Sequence, residues 1–153
     1  MSKYCCFFAK KQQSTTIFDD ITLSDTIPFV PNVCIGKVVK VYDGDTITIA
    51  AQPYQQLPIY KFSIRLAGID TPEIKSHDPR EKQMAIAARD ALYDKIFGEI
   101  VILGNVTTEK YGRILADVYC NDLHINQWLL DNHLAIPYHG GTKTPFPRDT
   151  IIL

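Results

Sequence analysis

The chain has almost no net charge. Its 16 lysines and arginines against 17 aspartates and glutamates leave −1 over 153 residues. A protein that holds a polyanion by bulk electrostatics is usually basic, so that mode of binding is excluded. Any grip on phosphate must come from a few placed arginines and lysines. Long apolar runs are also missing, and none approaches the about 20 residues of a membrane span. Near the start, Tyr4 to Ala9 is an apolar stretch of only six residues, short of the ~7–15 of a signal-peptide core. These absences point to an intracellular, most simply cytoplasmic chain with no transmembrane segment. Cysteine is scarce: Cys5, Cys6, Cys34 and Cys120, with no C-x-x-C pair. Neither a disulfide framework nor a zinc knuckle fits, and reduced thiols suit the intracellular reading. Cys5 and Cys6 stand beside lysines and have the chemistry to accept palmitate, although cysteines near a terminus more often carry no such role. The four histidines show no H-x-x-x-H spacing, which removes the common helical metal motif.

What is present suits one globular domain. Apolar residues make up 46% of the chain and aromatics 10%, enough for a core of useful size. Residues 1–33, polar and ending in Ile27-Pro28-Phe29-Val30-Pro31, read as an N-terminal arm held extended by its prolines and partly disordered. Residues 34–138 carry the ordered pattern, and 139–153, with Gly140-Gly141, Pro145 and Pro147, read as an irregular tail. Val39, Val41 and Thr46 to Ile49 alternate around Asp43-Gly44, a hairpin signal. Tyr60 to Leu66 alternates as a half-buried strand. Asp78-Pro79-Arg80-Glu81 opens a helix with a cap and a first-turn proline. Its apolar stripe is Met84, Ala88, Ala91, Leu92 and Ile96, and Gly98 stops it. Glu99 to Leu103 and Ile114 to Tyr119 read as strands, and Ile125 to Asn132 as a short helix. The order β-β-β-α-β-β-α is α+β, mainly β. It suggests a five-stranded barrel of the oligonucleotide-binding (OB) type, capped by two or three helices.

Three islands carry chemistry: Asp43-Gly44-Asp45-Thr46, then Arg65 leading to Gly68-Ile69-Asp70-Thr71-Pro72-Glu73, then Lys110-Tyr111-Gly112-Arg113. Carboxylate oxygens are the ligands a hard divalent cation prefers. The planar guanidinium fork matches phosphate oxygens. Acids that hold a cation, flanked by two arginines, suit attack on a phosphodiester. The spacing adds a structural condition. Arg65 and Asp70 are five apart, so an unbroken strand would put them on opposite faces. They can share a site only if the strand bends, and Gly68 is the place for it.

Taken singly, each island has a plainer reading. Asp-Gly is the commonest hairpin turn, Thr71-Pro72-Glu73 can open a helix, and Arg113 can be a strand-edge cation. Their joint occurrence in this order resembles the staphylococcal nuclease (thermonuclease) family, over about residues 36 to 138. The resemblance implies an OB-fold nuclease that hydrolyses DNA, RNA or both with one calcium ion, magnesium not being excluded by the sequence. It further implies that Asp45 and Asp70 bind the metal through side chains and Thr71 through its main-chain carbonyl. By the same resemblance Glu73 holds or deprotonates the attacking water, and Arg65 and Arg113 grip the scissile phosphate. Lys110 and Tyr111 match residues that touch a terminal phosphate, Tyr138 matches an aromatic near the base, and Asp43 braces the metal loop. Glu109 departs from the pattern, standing where many relatives carry Asp. A monomer is expected. The competing readings are a non-catalytic OB-fold module for nucleic acid or protein, and a calcium-binding structural protein; the second leaves Arg65 and Arg113 unexplained.

Overall fold

The computed structural model describes residues 17–55, 58–109, 112–141 and 146. Residues 17–30 are exposed and Val33 is the first buried residue; the rest of the expected arm, with Cys5 and Cys6, and most of the expected tail lie outside the described residues. The Asp43-Gly44 signal is realised as a hairpin between β1 (Ile35–Asp43) and β2 (Thr46–Ala51), closed by the pair Asp43↔Thr46. β2 then pairs antiparallel with β3 (Tyr60–Leu66), Thr46 standing opposite Arg65. Alternation explains why these strands form: Ile47, Ile49, Ile64 and Leu66 point inward and are fully buried.

After β3 the chain bends at Gly68, whose φ of +74° is readily available only to a residue without Cβ. It resumes as the two-residue β4 (Ile69–Asp70). Helix α1 (Pro79–Ile96) follows, with Asp78 accepting the Arg80 amide hydrogen bond at 2.9 Å as its cap. Its buried face is Ala85, Ala88, Leu92 and Ile96, with Met84 and Ala91 at the margin. Next come β5 (Ile100–Thr108), β6 (Ile114–Cys120) and β7 (Leu123–His124), then helix α2 (Ile125–Asp131) and β8 (Ile136–Pro137).

The strand order β3-β2-β1-β5-β6 is closed by a parallel pairing of β3 with β6, in the register Ile64↔Ile114, Arg65↔Leu115 and Leu66↔Ala116. The result is a five-stranded barrel with two α-helices among the described residues, mainly β, as the pattern of elements leads one to expect. Val38, Ile47, Ile49, Ile64, Leu66, Val101 and Val118 fill it, and Leu92, Ile96, Ile125 and Leu129 close its ends from the helices. β5 runs five residues past the expected Leu103. Asn105 has φ of +48° and the register shifts between Gly104 and Thr107, so a bulge interrupts the period that marks the strand. Outside the barrel, β4 pairs with β8 through Ile69↔Pro137 and Asp70↔Ile136, a strand pair that the sequence pattern does not mark. Among the described residues no helix is long and apolar enough to cross a membrane.

Candidate active site

The bend at Gly68 decides which side chains meet. Beyond it Asp70 turns back toward Arg65, whose Nη2 lies 2.8 Å from Asp70 Oδ1. The other arm of the same guanidinium, Nη1, lies 2.8 Å from Asp45 Oδ2. Arg65 therefore forks between two carboxylates that the chain supplies from the β1–β2 turn and from β4. Both acids are buried, Asp45 at 2% exposure and Asp70 at 3%. The Asp45 loop is held from three sides. Its carbonyl accepts from Leu66 N–H, its Oδ1 accepts from the Thr46 hydroxyl at 2.9 Å, and its own N–H donates to Asp43 Oδ1 at 3.3 Å. Asp43 thus braces the loop from its start.

Thr71 is buried directly beneath this loop. A Cβ placed on Gly44 would lie 2.9 Å from Thr71 Cγ2 and 2.9 Å from Ala88 Cβ of α1. Glycine is needed here because the loop, Thr71 and the helix touch. Glu73 is exposed three residues beyond Asp70. Glu81 on α1 fixes that segment, accepting from the Ser76 hydroxyl at 2.5 Å and facing the Glu73 N–H at 3.4 Å.

Arg113 enters the site by register. It stands two residues before Leu115, the partner of Arg65, which puts the two arginines on the same face of the sheet. Arg113 is ion-paired through Nε to Glu109 Oε1. Tyr138 is drawn in as well: its N–H donates to Gly68 O at 2.9 Å, and its hydroxyl to Gly141 O at 3.0 Å. Lys110 and Tyr111 lie outside the described residues.

Two residues that matter to this geometry carry no motif. Asn126 on α2 is buried and accepts from Val118 N–H at 2.9 Å while donating to Ala67 O at 2.9 Å and Ala116 O at 3.3 Å. It ties the bend before Gly68 to β6. Glu109 stands out in the sequence only as a departure from a family pattern; its register opposite Arg113 is what identifies its contact.

Burial, opposed by the Arg65 charge and reinforced by Asp43, pushes the Asp45 carboxyl up to about 7. Burial works against the Arg65 charge, but Asp45, then Asp70 and Glu109, outweigh it and raise its pKa. Asp43, Asp45, Asp70, Glu73 and Glu109 together outnumber the two guanidiniums. Two buried carboxylates offer the oxygen chemistry a hard cation would take, and in this structure Arg65 engages both. Among the described residues no cluster of three or more His, Cys, Asp or Glu side chains is poised for a metal. A cation here would be held by the two acids, with the rest of its shell left to backbone, water and substrate.

Residues 63–150 match the family described as staphylococcal nuclease homologue, and the chain belongs to that family. An uncharacterised protein of Bacillus anthracis is 36% identical over 104 residues, covering 66% of this chain and 46% of its own length. A probable staphylococcal-like nuclease of Oryza sativa subsp. japonica is 35% identical over 85 residues, 56% of this chain and 21% of that protein. An uncharacterised endonuclease of Escherichia coli is 32% identical over 111 residues, 72% of this chain and 65% of that protein. The chain spans less than half the length of the first two of these relatives.

Proposed function

We propose that this chain is a divalent-cation-dependent phosphodiesterase that hydrolyses DNA, RNA or both. It uses one calcium ion, magnesium being the other candidate, held by Asp45, Asp70 and the Thr71 carbonyl. The observation that carries the reading is the Arg65 fork between two buried carboxylates that the Gly68 bend brings together. Membership in a family with nuclease-named members supports the reaction class.

A cation held by Asp45 and Asp70 would supply positive charge beside the phosphate. The chain's own groups do the rest. Arg113, and Arg65 through the N–H hydrogens that its pairing with Asp45 and Asp70 leaves over, donate to the non-bridging phosphate oxygens, where charge builds as water attacks phosphorus and the leaving oxygen departs. Glu73, exposed at the rim, takes the proton from the attacking water. Tyr138 stands beside the bend to contact the nucleotide, and the terminal phosphate is assigned to Lys110 and Tyr111. A near-neutral chain that binds by a few placed contacts will show a shallow salt dependence.

The test is to incubate supercoiled plasmid and single-stranded RNA with the chain in calcium, in magnesium and in chelator. Cleavage with calcium and none with chelator is the expected result. No cleavage with any cation, while an oligonucleotide still binds, would identify a non-catalytic binding module instead.

A further inference from the structure

Arg113 is one-third exposed on its side chain and sits at the mouth of β6, where a long arginine has many rotamers. Two backbone hydrogen bonds fix what faces it. Glu109 N–H donates to Arg113 O at 3.0 Å, and Gly112 N–H donates to Glu109 O at 2.9 Å. These bonds place Glu109 opposite Arg113 on the same sheet face, and its carboxylate pairs with Nε. We propose that Glu109 is a positioning residue: by gripping Arg113 at Nε it presents that guanidinium's terminal nitrogens, on the face shared with Arg65, to one phosphate. This inference rests on the nuclease reading above.

The choice of nitrogen is the argument. Nε lies on the stem side of the planar fork, and a partner there fixes the plane while the outer donors remain for a ligand. Glu109 also adds to the field at Arg65, so one carboxylate serves both arginines. A carboxylate that merely stood in for a phosphate would be expected between the terminal nitrogens of the two guanidiniums. Those of Arg65 are instead engaged by Asp45 and Asp70.

The test compares wild type, Glu109→Gln, Glu109→Ala, Arg113→Ala and Glu109→Ala/Arg113→Ala on a single-stranded oligonucleotide with calcium. Glu109→Ala should lower kcat about 10–100-fold, the scale of a misplaced catalytic group, with KM changed less than about threefold. Glu109→Gln keeps the side-chain shape, so it separates charge from folding and should fall between. The double variant should be no slower than Arg113→Ala, because the two residues act as one unit. A lower KM with kcat kept or raised would show Glu109 competing with phosphate, and losses that multiply would show independent roles; either overturns the proposal. If the wild type cuts nothing, the nuclease reading fails, and the Arg113 Nε–H nuclear magnetic resonance signal still decides the ion pair. It should be sharp and slowly exchanging in wild type and lost in Glu109→Ala; an unchanged signal overturns the positioning role.

Discussion

Asp45 gives the sharpest handle on the site, because its carboxyl is raised to about 7 by burial. The free carboxyl of an unfolded chain titrates at 3.8. The folded chain therefore holds this proton more tightly than the unfolded chain does. With no cation present, the stability from this group is complete below about pH 4 and is lost as pH rises through about 7. The difference corresponds to a few kcal/mol, on the order of 4, drained steadily as pH rises across that window. A cation must displace the same proton, so calcium affinity should rise about tenfold per pH unit up to about 7 and level off above it. Asp45→Asn fixes the group in its neutral state. In chelator its stability should be flat with respect to this group between pH 4 and 8, and calcium should no longer raise its Tm. The assay is urea denaturation and thermal unfolding at half-unit pH steps, with and without calcium. Identical pH profiles for wild type and Asp45→Asn in chelator would refute the reasoning, as would an undiminished calcium shift in the variant.

Three further outcomes follow from the contacts around the bend. Gly44→Ala puts a methyl 2.9 Å from Ala88 Cβ and from Thr71 Cγ2, and should destabilise the chain by about 1–3 kcal/mol in urea titration; a change under about 0.5 kcal/mol would show the loop to be loose. Asn126→Leu leaves Val118 N–H and the Ala67 carbonyl without their partner. It should cost about 2–4 kcal/mol and speed hydrogen exchange at the Val118 amide, whereas unchanged protection there would contradict the tie. Glu73→Gln should lower kcat by about 10²–10⁴-fold, the worth of a general base, with calcium affinity within about twofold; full activity in that variant would remove Glu73 from the proton-transfer role.

Period and punctuation made the barrel readable. Ile47 and Ile49, then Ile64 and Leu66, alternate strictly, and Asp78-Pro79 caps α1 as its chemistry dictates. The need for a bend between Arg65 and Asp70 was legible too, because five residues of strand cannot put both on one face, and Gly68 supplies the turn. What stayed hidden has no local signature. The β4–β8 pair is two residues on each side, too short to show a period, and it is formed across most of the barrel sequence. The α1 stripe expected through Met84 runs instead through Ala85. Alanines let the helix sit close to Gly44, and a small-residue contact is invisible to a pattern that weighs large apolar side chains. Asn126 reads as an ordinary polar helix residue, and only the fold shows that it bridges two carbonyls and an amide. The far extent of β5 was masked by the bulge at Asn105.

If Asp45, Asp70 and the two arginines form a single site, a cation and a phosphodiester must complete each other there. Calorimetric titration of calcium, alone and with a non-cleavable single-stranded oligonucleotide, tests it most directly. One calcium per chain is expected, bound about tenfold or more tightly in the presence of the oligonucleotide, with the reciprocal gain in oligonucleotide affinity that linkage demands. Calcium binding that ignores the oligonucleotide, or that survives in Asp45→Asn, would contradict it.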